Sequence, residues 1–549
     1  MARERWGSKL LFIFAAVGSA AGLGNLWRFP YLAYKYGGGA FLIPYLVILL
    51  FVGAPLLLLE FSLGQRFQKG AIEGMYRVNR NFAGVGLMGI LAGFVIVGYY
   101  AVVMSWAVIF LVNSLNVAWA GNEISFFYDQ VLNISEGIEN IVPFQPSILV
   151  ALIAVWLGIY FSIWKSAKSA SKVVVVTMPL PILLVIILAI RGITLGEGSL
   201  VGIHAYLVPK LQALFDVEVW HAAISQIFFT LTLGFGTMIA YGSYNDKNQE
   251  LVKATYWTVF LNSSISIIAG FAVFGTIGFM SYNLALEKGV PQEIIKEFQK
   301  QHDIGQRLDQ KETYSFQELQ AVGIEIDKKT VARHYLDQQK LTGPGLAFVV
   351  YPKAIAMFKP PWIAATCGFL FFITLISLGI DSAFSLVEAF STVIADEMRR
   401  HTAAVNHSIL ALIVCAGGFL QGVLYSSRGG LYLLDLVDHY VTNYNLVIVG
   451  LVQAVALGWF SDIGKHRSYI NCTTNLQLGK WWEISIKFAV PATLIYLLVN
   501  QAVIDINRPY GGYVDLAQII GWAVVVLPLL FSVFLCVYMR MSRSEHAGD

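Results

Sequence analysis

The stretch GSAAGLGNLWRFP, Gly18 to Pro30, interrupts an apolar segment that is long enough to cross a membrane. Its three glycines, its asparagine, its arginine and its proline all carry a cost there, in helix propensity or in the desolvation of polar groups. Unwinding a helix leaves backbone carbonyl and N–H groups without partners, and hydrocarbon tolerates this only where the groups line a cavity or bind a ligand. The stretch therefore predicts a broken membrane helix with a function at the break.

The composition is typical of a polytopic membrane protein. Of the 549 residues, 57% are hydrophobic and only 13% are charged, whereas soluble domains carry about 25% charged residues. The formal net charge of +3 is too small to indicate nucleic acid as a partner. Four scattered cysteines have the spacing neither of a metal site nor of a disulfide framework. We expect an integral membrane protein surrounded by lipid.

Twelve apolar runs approach or exceed the length of about 20 residues that a membrane helix needs. The predicted spans lie near 10–34, 40–68, 83–118, 147–163, 169–191, 218–243, 251–282, 362–396, 405–424, 430–456, 482–502 and 517–540. Lysine and arginine concentrate before span 1, after spans 2, 8 and 12, and between spans 4 and 5. Since cytoplasmic loops carry the excess of basic residues, both termini are predicted to be cytoplasmic.

One long polar segment, about 284–342, separates helices 7 and 8 and lies outside the cell in this topology. Charged residues run through its whole length. We expect a solvated loop with some amphipathic helix. A lid or a partner-binding role is the alternative.

A second predicted span is also broken in its middle. Helix 6 reads SQIFFTLTLGFGTMIAYGSY from Ser225 to Tyr244, and its break lies at TLGFG. Helices 1 and 6 are five spans apart, an odd number, so they enter the membrane from opposite sides. One glycine-rich break alone is explained equally by helix packing. Two breaks at corresponding positions of inverted halves indicate the binding site of a transporter.

The chemistry of such breaks favours two kinds of ligand at once. The N-terminus of a half-helix attracts an anionic group such as a carboxylate. The carbonyls freed at the other half-helix suit a hard cation such as Na⁺. We therefore expect one site to bind an anionic group and a cation together.

Several long motifs are similar to those of the neurotransmitter:sodium symporter family. They are GLGNLWRFPYLAYKYGGGAFLIPY, SQIFFTLTLGFGTMIAYGSY, GPGLAFVVYPKAI, ITLISLGIDSAFSLVE and GGLYLLDLVDHY, in this order along the chain. The resemblance implies an all-α membrane protein with twelve transmembrane helices and a LeuT-type 5+5 inverted repeat. It also implies a single transporter domain over 1–549, with repeats at 10–191 and 218–456, helices 11 and 12 within 457–549, and a location in the plasma membrane (the cell inner membrane).

The resemblance further implies two sodium sites. One lies between helices 1 and 8, and its ligands are the carbonyls of Gly18, Ala21 and Leu378 with the side chains of Asp381 and Ser382. An aspartate inside a span is costly and usually marks an ion path, so Asp381 is informative by itself. The alternative is a neutral Asp381 that is hydrogen-bonded to a neighbouring side chain. The ligands of the second site are the carbonyl of Ala20, the side chains of Asn25, Thr230 and Asn262, and the carboxylate of the substrate.

The implied substrate is a neutral α-amino acid. Monoamine carriers of the family have an aspartate in helix 1 where this chain has Gly22, so the substrate should bring its own carboxylate. A charged side chain would lose solvation without a partner in the mostly apolar site. The predicted substrate-binding residues are Ser19, Ala20, Gly22, Leu23, Gly24, Ile96, Tyr100, Phe229, Thr230, Thr232, Phe235, Ser382 and Leu386.

A chloride ion is also implied. Family members that need no chloride often carry an acidic residue where this chain has Ser266. Two sodium ions close together call for a compensating negative charge in a medium of low dielectric constant. The predicted chloride-binding residues are Tyr45, Gln226, Thr230, Asn262 and Ser266.

Two charged pairs resemble the gates of the family. Arg28 and Asp438 correspond to the outer gate, above Tyr100 and Phe229. Arg3 and Asp396 correspond to the cytoplasmic gate. The alternative for such charges, and a strong one for Arg3, is snorkelling or topology marking at the membrane surface.

Other functions fit the sequence less well. An enzyme would need clustered nucleophiles, carboxylates or histidines at one membrane face, and the nine histidines are scattered. A receptor without transport activity would not need the complete set of sodium ligands. The nearest alternatives are a proton-coupled carrier of the same architecture, or a carrier of a proline-like or betaine-like compound or of a small amine.

Overall fold

The computed structural model describes residues 5–139, 143–302, 311–338, 343–401 and 406–545. These residues are mostly helical, and ten of their helices are long and apolar enough to cross a membrane. The ten are Gly39–Phe67, Arg80–Asn113, Pro146–Ile163, Ser169–Ile193, Leu251–Lys288, Pro361–Arg399, His407–Tyr425, Gly430–Trp459, Lys480–Gly512 and Asp515–Met541. They correspond to predicted helices 2–5 and 7–12.

Predicted helix 1 consists of two helices, Lys9–Ala20 and Gly24–Lys35, bent by 54° at a short break, and the pair can count as an eleventh span. Predicted helix 6 is also divided, into Val217–Thr230 and Thr237–Ser243. Neither half of helix 6 is long enough to cross a bilayer alone. Both breaks that the sequence predicts are therefore present.

The predicted boundaries differ from the observed ones chiefly where helices extend beyond the apolar run. Helix 7, predicted over 251–282, continues to Lys288, and helix 11, predicted over 482–502, continues to Asn507. Hydrogen bonding continues a helix past the end of its hydrophobic stretch, which composition alone does not show.

Shorter elements connect the spans. Helical segments lie at Ala71–Val78, Glu123–Ser125, Phe126–Val131, Glu197–Leu207, Leu211–Phe215, Gln292–His302, Phe316–Ala321, Lys328–Gln338, Gly343–Gly345, Leu346–Val350, Tyr351–Ala356 and Ile463–Cys472. Two short antiparallel strands, β1 (Val290–Pro291) and β2 (Thr313–Tyr314), pair with each other.

The insertion between helices 7 and 8 contains helices, as predicted, but they pack around an apolar cluster of their own, which was not predicted. In its described part, the strand pair and three helices enclose an apolar cluster that also includes Ala285 at the C-terminal end of helix 7. The buried members of this cluster are Val201, Ala285, Val290, Ile295, Tyr314, Leu319, Ile324, Val331, Ala332 and Tyr335. The apolar residues are dispersed among many charged ones in the sequence, but in the fold they pack together in one cluster. The polar composition of the segment gives no indication of this cluster.

Helix packing brings the two breaks together in the centre of the main apolar core. Helix 1 packs against helices 5, 7 and 8, helix 3 packs along helix 8, and both halves of helix 6 pack against helix 2. Helices 2, 3, 5, 7 and 8 are therefore the ones that can supply side chains to the breaks.

Candidate functional site

The break in helix 1 is stabilised by side chains from two directions. Its first half ends at Ala20, and Ala21 takes an extended conformation with ψ of 90°. The N–H of Gly22 donates to Asn25 Oδ1 at 3.0 Å, and the N–H of Leu23 donates to the hydroxyl of Tyr100 on helix 3 at 2.9 Å. Two N–H groups freed by unwinding thus find partners, as a buried backbone requires.

The break in helix 6 spans residues 231–236 and depends on left-handed backbone. Thr232, Gly234 and Gly236 have φ of +53°, +81° and +72°. The N–H of Gly234 donates to Glu60 Oε1 on helix 2 at 2.9 Å. Glu60 is not among the predicted site residues, although a glutamate inside a predicted span is a recognisable signal.

The two breaks meet at a small cavity. Thr232 Oγ1 joins them by donating to the carbonyl of Ser19 at 3.0 Å. The residues that line the cavity are Ser19, Ala20, Gly22, Gly24, Asn25, Ile96, Tyr100, Phe229, Thr232, Phe235, Ser382 and Leu386. None of these side chains is an acid or a base.

Eleven of these lining residues are predicted substrate-binding residues, and the twelfth, Asn25, is a predicted sodium ligand. Two predicted substrate residues lie elsewhere. Leu23 offers its N–H to Tyr100 without lining the cavity, and Thr230 belongs to a polar cluster beside it. The structure thus places most of the predicted substrate residues around one space.

An oxygen-rich cluster lies between helices 1 and 8. Ser382 Oγ donates to the carbonyl of Ser19 at 3.0 Å and lies 3.4 Å from that of Gly18. A Cβ atom on Gly18 would be 2.7 Å from Asp381 Oδ2, so the carboxylate closely approaches helix 1. Leu378 precedes Asp381 on the same buried stretch of helix 8. Oxygen atoms are the ligands that a hard cation prefers, so these residues, with Ala21 at the break, fit Na⁺.

Asp381 has a partner that sequence analysis missed. The hydroxyl of Thr177 on helix 5 donates to Asp381 Oδ1 at 2.6 Å. Threonine is common in membrane helices and is ordinarily bonded to its own backbone, so nothing in the sequence singled it out.

A second polar cluster brings together helices 1, 6 and 7. Asn25 Nδ2 donates to Asn262 Oδ1 at 2.8 Å and to Ser266 Oγ at 2.9 Å. The hydroxyl of Thr230 lies 3.2 Å from Asn25 Oδ1 and 3.3 Å from Asn262 Oδ1. All four side chains are buried. Their amide and hydroxyl oxygens form a donor set that fits the second predicted sodium ion.

The predicted chloride residues adjoin this cluster. The hydroxyl of Tyr45 donates to Ser263 Oγ at 3.2 Å, and Gln226 Nε2 lies 3.3 Å from the carbonyl of Gly24. Together with Ser266 they form a buried group of hydroxyls and amides without a carboxylate. O–H and N–H donors suit an anion, so the chemistry of the group fits Cl⁻.

At the outer gate, the predicted pair of Arg28 and Asp438 forms no ion pair within the described residues. The Arg28 guanidinium donates to Gln226 Oε1 at 3.1 Å and to Ser225 Oγ at 2.8 Å. Asp438 instead accepts from the hydroxyl of Tyr99 at 2.5 Å. Each charge is satisfied by a neutral neighbour, which the sequence did not indicate.

The guanidinium of Arg28 also lies 5.0 Å from the centroid of the Phe229 ring, within the range of a cation–π interaction. Phe229 lines the cavity. The charge predicted for the outer gate is therefore placed directly beside the cavity, although its predicted partner is not in contact with it.

At the cytoplasmic gate, Arg3 lies outside the described residues. Asp396 accepts a hydrogen bond from the N–H of Gly70 at 2.8 Å. Nearby, the hydroxyl of Tyr244 donates to Glu388 Oε1 at 2.6 Å, and the indole of Trp6 donates to the carbonyl of Tyr241 at 3.0 Å. The bonds of Tyr244 and Trp6 join helix 8 and the N-terminal segment to the second half of helix 6, and the bond of Asp396 joins helix 8 to the segment that follows helix 2.

Comparison with known proteins gives a consistent result. A family model described as the sodium:neurotransmitter symporter family matches residues 3–125 and 119–544. An uncharacterized sodium-dependent transporter of Methanocaldococcus jannaschii is 34% identical over 539 residues, which cover 97% of this chain and 98% of the relative.

Two animal relatives are similar over most of this chain. The sodium- and chloride-dependent GABA transporter 2 of Bos taurus is 32% identical over 561 residues, covering 95% of this chain and 84% of the relative. The sodium- and chloride-dependent glycine transporter 2 of Xenopus laevis is 29% identical over 602 residues, covering 96% and 69%.

Proposed function

The chain belongs to the sodium:neurotransmitter symporter family, and from this membership we propose that it is a symporter of sodium and a neutral α-amino acid. Membership makes it a multi-pass membrane protein of a family of sodium-dependent transporters, which are not enzymes. The substrate, the number of ions and the use of chloride are the proposal.

The observation that carries the proposal is the uncharged cavity with Gly22 at its wall. A Cβ atom on Gly22 would be 2.6 Å from both Ser382 Oγ and the hydroxyl of Tyr100. No acidic side chain can stand at this position to meet an amine, so a carboxylate must arrive with the substrate. It would lie beside the start of the second half of helix 1, whose dipole favours negative charge.

The rest of the cavity wall supports a neutral side chain on the substrate. Ile96, Phe235 and Leu386 are apolar, and Phe229 and Thr232 complete the wall without a fixed charge. A charged substrate side chain would lose hydration there and gain no partner. The names of the GABA and glycine transporters among the relatives agree with a small substrate that is zwitterionic.

Two sodium ions and one chloride ion complete the proposed site. One sodium ion would bind Gly18, Ala21, Leu378, Asp381 and Ser382. The other would bind Ala20, Asn25, Thr230, Asn262 and the substrate carboxylate. Chloride would bind Tyr45, Gln226, Thr230, Asn262 and Ser266. Two observations support chloride. A similar transporter is sodium- and chloride-dependent, and the buried group around Ser266 has no carboxylate.

For the mechanism, we propose twelve helices, cytoplasmic termini and alternating access between two inverted repeats, 10–191 and 218–456, within the plasma membrane. Sodium shifts the equilibrium between outward-open and inward-open states only by its difference in affinity for them. The membrane potential adds about 2.3 kcal/mol per charge per 100 mV. Sodium binding favours the outward-open state and completes the substrate site, and substrate binding then permits occlusion. Loss of the sodium ion between helices 1 and 8 opens the inner gate.

The test is uptake into proteoliposomes with an inward sodium gradient, screened over neutral, charged and N-methylated amino acids, betaine and small amines. We expect concentrative uptake of a neutral α-amino acid that disappears when choline replaces sodium. Preferred uptake of an amine or a betaine would overturn the substrate class. If a proton gradient without sodium drove as much accumulation of the amino acid as the sodium gradient does, sodium coupling would be overturned.

Two further measurements test the ions. Asp381→Ala should abolish concentrative uptake, whereas Asp462→Ala, which removes an exposed carboxylate outside the spans, should not. Wild-type sodium dependence in Asp381→Ala would refute the sodium site. Equal uptake by the wild type with gluconate replacing chloride on both sides would refute the chloride site.

A further inference from the structure

The carboxylate of Asp381 has two oxygens with different surroundings. Oδ1 accepts the hydroxyl of Thr177 at 2.6 Å, whereas Oδ2 faces helix 1 at Gly18. The side chain is buried, with 1% of its surface exposed. One oxygen is therefore held by helix 5 and the other is directed to the proposed sodium site.

The hydroxyl of Thr177 has a choice of acceptors. It lies 2.9 Å from the carbonyl of Val173, one turn earlier in its own helix, and 2.6 Å from Asp381 Oδ1. A hydroxyl has a single hydrogen to donate. A bond to an ionised carboxylate is shorter and roughly twice as strong as one to a neutral acceptor, so the proton of Thr177 goes to Asp381.

Thr177 stands at an interruption of helix 5. The helical segment Ala167–Thr177 ends with this residue, and Pro179 begins the next segment, Pro179–Ile193. Helix 5 contributes none of the predicted sodium ligands. The hydroxyl therefore fixes the carboxylate from a third helix, independently of helices 1 and 8.

We propose that Thr177 is a positioning residue for the sodium ion between helices 1 and 8. By binding Oδ1 it prevents rotation of the carboxylate and keeps Oδ2 directed towards Gly18. This inference rests on the proposed sodium site. Hydrogen-bond partners of metal ligands orient those ligands, and their loss typically lowers metal affinity 10- to 100-fold.

The experiment measures sodium binding by the purified full-length protein without substrate. The melting temperature is recorded against sodium concentration, with choline keeping the ionic strength constant, because a ligand that binds the folded state raises the melting temperature. The variants are Thr177→Val, which replaces the hydroxyl by a methyl group, and Thr177→Ser, which keeps it. Thr255→Val is the matched control, since that buried hydroxyl donates to the Leu251 carbonyl of its own helix.

We expect the sodium concentration for half-maximal stabilisation to rise about 10-fold or more in Thr177→Val and to stay near the wild-type value in Thr177→Ser and Thr255→Val. At saturating sodium, the KM for the amino acid in Thr177→Val should match the wild type. Binding of ²²Na⁺ should show the same order if Thr177→Val melts too early for the thermal assay.

A wild-type sodium curve in Thr177→Val would overturn the inference. So would a Thr177→Ser curve as weak as that of Thr177→Val, because the hydroxyl would then not be the cause. Failure of the proposed function is distinguishable: neither wild-type protein nor Thr177→Ser would then be stabilised by sodium, or Asp381→Ala would be stabilised as strongly as the wild type.

Discussion

The two breaks solve the same problem with different chemistry. In helix 1 the break has only a few residues, no left-handed backbone and a bend of 54°, and neighbouring polar side chains satisfy its N–H groups. In helix 6 the break is longer and has three residues with positive φ, and the carboxylate of Glu60 holds it from helix 2.

This difference suggests a division of roles. Small residues of the helix 1 break line the cavity, and the carbonyls of Gly18 and Ser19 just before the break contact Ser382, a residue of the proposed sodium site. The helix 6 break contributes the cavity wall through Thr232 and Phe235, and its shape is imposed by glycines and by helix 2. Changes in helix 1 should therefore alter ligand binding, and changes in helix 6 should alter stability first.

The largest expected effect comes from filling the space at Gly22. In Gly22→Asp, the new Cβ atom would lie 2.6 Å from Ser382 Oγ and from the Tyr100 hydroxyl, and the new carboxylate would repel that of the substrate. Uptake of the amino acid at saturating sodium should fall to background. The control is Gly74→Ala, whose Cβ atom would have an ordinary contact with Ile239, and it should transport normally. Normal transport by Gly22→Asp would contradict the role of the helix 1 break in substrate binding.

The next effect concerns the support of helix 6. Glu60→Ala would leave the buried N–H of Gly234 without its acceptor, at a cost of about 1–3 kcal/mol in the free energy of unfolding. The melting temperature of the purified protein should fall clearly. Glu60→Gln keeps an acceptor and should recover part of the loss, whereas equal melting temperatures of Glu60→Ala and wild type would show that the carboxylate does not hold the break.

A matched pair of glycine substitutions sharpens the comparison directly. Gly236 has φ of +72°, so Gly236→Ala should cost about 1–2 kcal/mol of stability and leave the sodium dependence of uptake unchanged. Gly18 lies in the helical part of helix 1, and an added Cβ atom would approach Asp381 Oδ2 at 2.7 Å. Gly18→Ala should therefore raise the sodium concentration for half-maximal uptake and lose less stability than Gly236→Ala. A changed sodium dependence in Gly236→Ala together with an unchanged one in Gly18→Ala would contradict the division of roles.

The smallest expected effect is a pH dependence of stability that comes from His466, which packs against helix 2. Its Nδ1 accepts a hydrogen bond from Arg66 at 2.9 Å, and its Nε2 lies 2.7 Å from Ser62 Oγ. Burial, reinforced by the Arg66 guanidinium, lowers the pKa of His466 to about 3. In the unfolded chain its pKa is about 6.5. The unfolded state therefore binds a proton that the folded state excludes, and stability falls as the pH drops below about 6.5, by about 0.8 kcal/mol at pH 6.0.

The measurement is the melting temperature between pH 7.5 and pH 5.5 for the wild type and for His466→Gln. The variant should lose less stability on acidification than the wild type, whatever its stability at pH 7.5. Parallel curves for the two proteins would show that His466 titrates normally in the folded state.

Much of the fold was predictable because its signals are local. Apolar runs of sufficient length give the spans, and the glycines near Gly22 and Gly234 give the breaks. The insertion between helices 7 and 8 was predicted less well. Its apolar residues come from several short elements and from the end of helix 7, so no single periodic stretch of sequence predicts the cluster that they form.

The candidate site was predictable to the extent that its residues lie on the broken helices or in recognisable motifs. Eleven lining residues and Asn25 had been assigned by resemblance, and the structure gathers them around one cavity. The supporting residues were missed: Glu60 for helix 6, Thr177 for Asp381 and Tyr99 for Asp438. Each lies on a different helix from the residue that it supports.

The sequence by itself determined that this chain crosses a membrane many times, that two of its helices break, and that an aspartate is placed inside a span. Hydrophobic length, glycine content and the cost of a buried charge act over one turn or one helix, so they can be read from neighbouring residues. Only the tertiary structure decided which distant side chains satisfy the freed backbone groups and which oxygen of Asp381 faces the proposed ion. Those choices depend on helix packing, which brings together residues up to several hundred positions apart.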